Sequence, residues 1–233
     1  MCRTWQRLNP DARIHVAYGG CAAAYQALQG PDCTLIQDPR LRTRDHQRER
    51  QSYRGIMQAM VAALADHGTS RILMVECDVA PLRPGLVDYL AQRAGEEQAG
   101  VLGVGLRRAD GTSHPHYLAH QSHPRFREWL SHSIREDREV VLMMLGCLTW
   151  WTWDAFRATA LAPEPMPVYL ELAMPTMAHH LGFRVRNLPE FEADIEPFGE
   201  MEEFLEQKRA EGRWLAHPCK RIWLHGERRD VGR

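Results

Sequence analysis

The chain has 233 residues, 44% of them hydrophobic, which is enough for one full-sized domain with a sizeable core. Its formal net charge of −1 gives no overall attraction to nucleic acid or to an acidic membrane, so an anion must be bound by a local arrangement. No apolar run approaches the roughly 20 residues that span a bilayer, the first residues lack a signal peptide's apolar segment, and the cysteines form no C-x-x-C pair. We therefore expect a soluble, cytoplasmic protein with reduced thiols, no transmembrane segment and no nucleic-acid partner.

Short apolar runs alternate with helical patterns through the first two thirds of the chain. The clearest helix repeats apolar residues at spacings of three and four over 53–64, and Thr43 or Asp45 can cap its start and Gly68 its end. The run at 72–75 is continuously apolar, as in a central parallel strand covered on both faces. The strands predicted in this part lie at 14–18, 34–37, 72–75 and 101–106, and the other two helices at 22–28 and 83–93. This order predicts an α/β sandwich, in which ligands bind beyond the carboxyl ends of the strands.

The last third of the chain is less regular. It is predicted to contain a His-rich loop at 109–124, strands at 140–144, 148–151 and 183–186, and helices at 124–134, from 154, at 171–180 and at 199–211. We interpret 1–233 as a single domain, with a nucleotide-binding half at 1–108 and an acceptor half at 109–233.

The best chemical motif is Glu76-Cys77-Asp78, which follows the apolar run at 72–75. In an extended segment, residues two apart project to the same side, so the two carboxylates can share a divalent cation. Hard oxygen ligands suit Mg²⁺ or Mn²⁺, and such an ion neutralises a diphosphate leaving group. Acidic residues at a strand end can also simply meet solvent, but the apolar run and Pro81 favour a site because they place the pair at the ligand-binding edge.

The segment RILMVECDVAPLRPGLVDYL resembles the metal-binding region of GT-A-type glycosyltransferases, the nucleotide-diphospho-sugar transferases, in which a D-x-D motif ends a central strand. Here Glu76 replaces the first Asp, an E-x-D variant that the family tolerates. The segment RDHQRERQSYRGIMQAM resembles the family's nucleotide-flanking helix, and LGCLTWWTWDAFRA resembles the unit near the acceptor. YLELAMPTMAHHLGFRV resembles the stretch with the catalytic carboxylate, and HPCKRIWLH resembles the C-terminal stretch that brings a His to the metal.

This resemblance covers most of residues 14–225 and implies a GT-A-like fold, a single Rossmann-type α/β/α sandwich with a mostly parallel sheet. Family members usually begin with a strand whose end contacts the base of the nucleotide. Here the opening MCRTWQRLNPDARIHV resembles the helix that follows that strand. We therefore expect the usual first strand to be truncated or absent.

Glu171 starts a predicted helix after an apolar stretch, where the helix N-terminus keeps a carboxylate ionised. An inverting transfer needs a general base for the acceptor hydroxyl, and the resemblance assigns that role to Glu171. The local sequence fits a capping carboxylate without chemistry equally well.

His217 and His225 compete for a third metal position, since a neutral imidazole can complete an oxygen-rich site. We favour His217 because the neighbouring Lys220 can reach a phosphate as a point charge. Either imidazole alone also fits a surface His without a ligand.

Donor binding is assigned to residues near the predicted strand ends. Most arginines of 40–54 fit a solvated helix face, but a guanidinium near the sheet edge can hold a diphosphate bidentately. The residues predicted to bind the nucleotide sugar are Arg40, Ser52, Arg54, Cys77 and Lys220. On the acceptor side, Trp151 and Trp153 share a strand face and are predicted to stack on a sugar, with core packing left open for at least one of them. The His-rich loop matches no zinc pattern and is predicted to cover the acceptor.

These features predict a metal-dependent glycosyltransferase that takes a sugar from a nucleotide-diphospho-sugar donor to a small-molecule, glycan or protein acceptor, with inversion. Two alternatives stay open. One is a non-catalytic sugar-nucleotide-binding domain, which the unusual N-terminal segment favours. The other is a phosphohydrolase of the haloacid dehalogenase type, in which Glu76 would have to replace a nucleophilic Asp and is one methylene too long.

Overall fold

The computed structural model describes residues 2–27, 32–42, 52–162, 168–195 and 202–219. The strands are β1 (Val16–Tyr18), β2 (Cys33–Leu35), β3 (Arg71–Val75), β4 (Ala80–Pro81), β5 (Val101–Arg108), β6 (Leu142–Thr152), β7 (Val185–Asn187) and β8 (Leu215–Ala216). The helices are α1 (Cys2–Leu8), α2 (Ala22–Ala27), α3 (Tyr53–Leu64), α4 (Leu86–Glu96), α5 (Pro115–His120), α6 (Pro124–Ser131), α7 (Trp153–Leu161), α8 (Leu170–His180) and α9 (Glu202–Ala210). Two 3-10 helices span Pro39–Arg42 and Pro189–Asp194.

A four-stranded sheet in the order β3-β6-β5-β7 carries the architecture. Strand β6 is antiparallel to both β3 and β5, while β5 and β7 are parallel. Strands β3, β5 and β7 therefore point in one direction, and their carboxyl ends meet at one edge. Strands β1 and β2 form a parallel pair, and β4 and β8 an antiparallel pair. This arrangement confirms the predicted mixed α/β class with a largely parallel sheet.

Helices cover both faces of the sheet. On one face, α4 packs Leu86 and Leu90 against Leu148 and Trp150 of β6. On the other face, α3, α7 and α8 pack against Trp151 of β6 and its neighbours. The alternation of side chains along β6 explains why both helix layers contact the same strand. None of the helices within the described ranges is long and apolar enough to cross a membrane.

Strand β3 differs from its prediction as a central parallel strand. Its faces are covered as expected, because Ile72 and Met74 pack into one core cluster and Leu73 and Val75 into the other. Within the described residues, however, its ladder partner is β6, which is antiparallel, and β3 lies at the edge of this sheet. The continuous apolar run therefore predicted that both faces of β3 are covered, but it did not predict the direction of the neighbouring strand.

Two segments of the last third also differ from their predictions. The strands expected at 140–144 and 148–151 form one strand, β6, which continues through Gly146. A Cβ at Gly146 would overlap the side chain of Leu170, so the glycine allows α8 to approach the sheet rather than ending the strand. The predicted His-rich loop contains helix α5, whose first residue, Pro115, has a φ angle that suits a helix start.

Phe156 tests the core under α7. Its ring is fully buried between Trp151 and Trp153, so Phe156→Ala should lower the free energy of unfolding by about 3–5 kcal/mol. Leu161→Ala is the control on the same helix, because Leu161 is 49% exposed and should change stability by no more than about 0.5 kcal/mol. Urea unfolding of both variants measures the difference, and equal losses would contradict this packing.

Candidate metal and active site

The acidic motif lies in a tight turn at the carboxyl end of β3. The amide of Glu76 donates to the carbonyl of Cys147 on β6 at 2.9 Å, and the amide of Val79 donates back to the carbonyl of Glu76 at 3.2 Å. The two acids therefore approach each other through a turn rather than the extended segment predicted from their spacing. Asp78 is buried, with 3% of its side chain exposed, while Cys77 faces solvent.

His217 reaches this turn from the far end of the described chain. Strand β8 pairs with β4, which directly follows the turn, and the amide of Cys219 donates to the carbonyl of Asp78 at 2.8 Å. The Nε2 atom of His217 lies 3.5 Å from Oδ1 of Asp78 and 3.8 Å from Oε2 of Glu76. One potential ligand atom from each of the three side chains lies within 4.8 Å of the others. The structure thus brings together the three residues predicted to bind a metal.

The site is electrostatically coupled. Burial disfavours the imidazolium form of His217, but its contacts with Asp78 and Glu76 outweigh burial and raise the pKa of His217 to about 9. In return, the contact with His217 and the hydrogen bond from Tyr53 lower the pKa of Glu76 against the effects of burial and of Asp78. Two carboxylates held this closely require a positive charge between them, which the imidazolium provides in the metal-free protein.

A divalent cation suits the same position. The donors are two carboxylates and one imidazole, and carboxylate oxygens are the ligands that Mg²⁺ and Mn²⁺ prefer. Asp78 is held in a buried position by the turn, and the backbone on both sides of it is hydrogen-bonded, so little reorganisation is needed to bind an ion. Glu76, Asp78 and His217 therefore fit a metal of this class.

Tyr53 is a site residue that the sequence did not reveal. Its hydroxyl donates to Oε1 of Glu76 at 2.9 Å, although its place in the apolar repeat of α3 suggested only a core role. Tyr53 occupies the first position of α3, where a long side chain can lean out of the core toward the sheet edge. The hydrogen bond from Tyr53 to Oε1 leaves Oε2 of Glu76 directed toward His217.

Glu171 lies in the first turn of α8, above β6. Its Cγ is 3.9 Å from the position that a Cβ of Gly146 would take. Burial raises the pKa of the neighbouring Cys147 thiol to about 12, and the carboxylates of Glu76, Glu171 and Asp78 add to this effect. The predicted base and two of the three predicted metal ligands therefore all act electrostatically on one residue of β6.

Three predicted donor-binding residues lie around the start of α3. Arg40 is paired with Asp38, its Nε at 3.0 Å and 3.1 Å from the two carboxylate oxygens, which raises the pKa of Arg40. Asp38 lies against Gly55, and both border an open cleft of about 530 Å³.

Arg54 donates to the carbonyl of Ala162, and burial lowers the pKa of Arg54. Ser52 is fully buried at the N-cap of α3.

The two tryptophans lie away from the acidic turn. Trp151 is fully buried, and its indole N–H donates to Thr149 at 2.8 Å, so it packs the core and offers no face to an acceptor. Trp153 follows the end of β6, where its amide donates to Ser70, at the start of β3 and therefore at the opposite edge of the sheet from Glu76. Trp153 is the first residue of α7 rather than a strand residue, so the alternation predicted for a strand does not apply to it.

The remaining predictions concern the His-rich segment and the C-terminus. His116 of α5 stacks on Tyr169 with ring centroids 3.8 Å apart, and Tyr169 is the N-cap of α8, so this segment lies beside the helix that carries Glu171. Lys220 and His225 lie outside the described residues.

The fold and the acidic turn define an α/β domain with candidate ligand groups beyond the carboxyl end of a sheet strand, the usual ligand position in such sheets. The family model of the MobA-like NTP transferase domain matches residues 1–143, more than half of the chain, and the chain belongs to this family. The matched region contains Glu76 and Asp78, whereas Glu171 and His217 lie beyond it. No curated protein and no solved structure matches the chain.

Tyr53→Phe tests the orientation of Glu76. Removing the hydroxyl deletes one hydrogen bond to a charged acceptor, which is worth about 1.5–3 kcal/mol, so Mn²⁺ should bind about tenfold or more weakly in calorimetric titrations. Tyr25→Phe is the control, because the Tyr25 hydroxyl donates to the carbonyl of Cys33 at 3.0 Å and should not affect Mn²⁺ binding. Unchanged affinity in Tyr53→Phe would remove Tyr53 from the site.

Proposed function

We propose that this protein is a metal-dependent glycosyltransferase that moves a sugar from a nucleotide-diphospho-sugar to an acceptor hydroxyl, with inversion at the anomeric carbon. The observation that carries the proposal is the convergence of His217 on Glu76 and Asp78. Membership of a nucleotide-binding transferase family supports a donor that contains a nucleotide. The acceptor is a small molecule, a glycan or a protein.

The three converging side chains would hold Mn²⁺ or Mg²⁺ against the diphosphate. A bound ion would neutralise charge on the diphosphate leaving group. Asp78 provides the fixed, buried ligand, and Glu76 the half-exposed one at the mouth of the site, with its orientation set by Tyr53. His217, which follows β8, would complete the set as a neutral imidazole, and its raised pKa means that it would have to lose a proton to do so.

Glu171 would act as the general base. The acceptor hydroxyl must lose its proton as it attacks, and a carboxylate in the first turn of a helix remains ionised because the helix dipole favours negative charge there. Glu171 is half-buried over the glycine of β6, beside the strand residue that also faces the metal ligands. This placement supports a base on the same side of the sheet edge as the proposed metal ligands.

A second candidate function is nucleotidyl transfer, which the family match favours. In that reaction a sugar phosphate attacks the α-phosphorus of a nucleoside triphosphate and pyrophosphate leaves. The attacking phosphate is already ionised, so no general base is required. The two functions therefore differ in their need for Glu171 and in their product, a nucleoside diphosphate in one case and pyrophosphate in the other.

Asp78→Asn tests the metal site directly. The substitution removes the buried charge that should hold the ion, so Mn²⁺-dependent binding of UDP or GDP should weaken at least about tenfold in calorimetry. Asp88→Asn is the control, because Asp88 is an exposed acid on α4. If the unchanged protein binds neither nucleotide more tightly with Mn²⁺ than without it, the metal-dependent transferase is excluded.

Glu171→Gln separates the two candidate functions. For glycosyl transfer, loss of the base should lower the rate of nucleoside diphosphate release from a nucleotide sugar by about 10²–10⁴-fold, while nucleotide binding is retained. Asp154→Asn is the matched control, since Asp154 is an exposed acid in the first turn of α7 and tests the loss of a helix-start charge alone. Undiminished turnover in Glu171→Gln would exclude the base role, and pyrophosphate release from a triphosphate and a sugar phosphate would identify nucleotidyl transfer.

A further inference from the structure

Strand β8, which delivers His217, is held from two sides. On one side it pairs with β4, in the register Ala80 with Ala216 and Pro81 with Leu215. On the other side the chain at 194–195 runs beside it, with a parallel bridge between Ile195 and His217. The position of the imidazole therefore depends on the segment that follows the 3-10 helix Pro189–Asp194 as well as on β4.

Asp194 makes most of the contacts on this second side. Its Oδ2 accepts the amides of Trp214 at 3.3 Å and Leu215 at 3.4 Å, and its carbonyl accepts the amide of His217 at 3.3 Å. One residue thus receives backbone amides from three positions of the segment 214–217, which contains β8 and ends at the proposed metal ligand. The strand cannot move along its axis without losing these bonds.

Asp194 is fully buried, so the presence of a carboxylate at this position needs an explanation. Its Oδ1 has no hydrogen-bond partner among the described residues, and the nearest charge is Nε of Arg213 at 3.8 Å. A buried carboxylate with one unbonded oxygen costs stability, and an apolar residue would avoid that cost if only packing were needed. The carboxylate is instead aimed at the amides of β8.

The segment that carries Asp194 is itself anchored. The ammonium group of Lys208, from α9, donates to the carbonyl of Ala193. Phe191 is fully buried and packs with Tyr89 and Trp214. Asp194 therefore projects from a fixed turn, as a group that orients another residue must.

We propose that Asp194 is a positioning residue for the metal site: its buried carboxylate fixes β8 so that His217 reaches Glu76 and Asp78. The proposal rests on the metal site of the proposed function. Asp194 does not touch the ion or the substrate, and its effect passes entirely through His217. It adds to the site a residue from a segment with no metal-binding motif of its own.

Mn²⁺ titration calorimetry on the full chain tests this proposal with Asp194→Ala, His217→Ala and the double variant. Asp194→Ala should weaken Mn²⁺ binding at least about tenfold, as expected when a partner that orients a ligand is lost. In the His217→Ala background the same substitution should change the affinity less than about twofold, because the residue through which it acts is gone. Asp194→Asn keeps an acceptor oxygen for β8 and should restore most of the affinity.

The control is Glu192→Ala, an exposed acid on the same 3-10 helix, which should bind Mn²⁺ like the unchanged protein. If Asp194→Ala does not fold, Asp194→Glu, which keeps the charge but displaces the acceptor by one methylene, should show the loss instead. Equal losses with and without His217, or unchanged affinity in both Asp194→Ala and Asp194→Glu, would overturn the proposal. If the unchanged protein binds no Mn²⁺, the proposed metal site itself fails, so the two failures are distinguishable.

Discussion

The short pairing between β4 and β8 is the interaction on which the candidate site depends. Strand β4 begins two residues after Asp78, and β8 ends one residue before His217, so the antiparallel register between them sets the distance between carboxylate and imidazole. The hydrogen bond from the Cys219 amide to the Asp78 carbonyl closes this pairing on the side of the turn. The pairing therefore holds His217 close to Glu76 and Asp78, although these residues lie far apart in the chain.

The charges in the turn explain why this pairing matters. Asp78 is buried and Glu76 lies beside it, and two carboxylates in such a place repel each other unless a cation joins them. The imidazolium of His217 fills that need in the metal-free protein, as the raised pKa of His217 and the lowered pKa of Glu76 indicate. The same position suits a divalent ion, which would supply this charge in place of the proton.

The sequence revealed the chemistry of the site better than its geometry. Glu76, Asp78 and His217 were predicted together because the acids follow an apolar strand and the His belongs to a stretch resembling a known metal-binding segment. Tyr53 was missed because an aromatic residue at helical spacing is normally part of a core. Asp194 was missed because its role exists only after the chain at 194–195 lies beside β8, a contact that no local pattern encodes. Trp153 fitted an acceptor site by its residue type, but the antiparallel direction of β6 places it at the other edge of the sheet.

The division of the chain between matched and unmatched regions bears on how this family could vary its chemistry. Residues 1–143 match the MobA-like domain and include the acidic turn and helix α3, the parts that we propose to contact a nucleotide and its phosphates in either candidate reaction. What differs between the reactions is the nucleophile, an ionised phosphate in one and a hydroxyl in the other, and only the hydroxyl needs a base. Glu171 lies outside the matched region, on a helix that approaches the sheet because β6 has a glycine at 146. A shared donor-binding half can thus serve different transfers when the second half changes the group that faces the nucleophile.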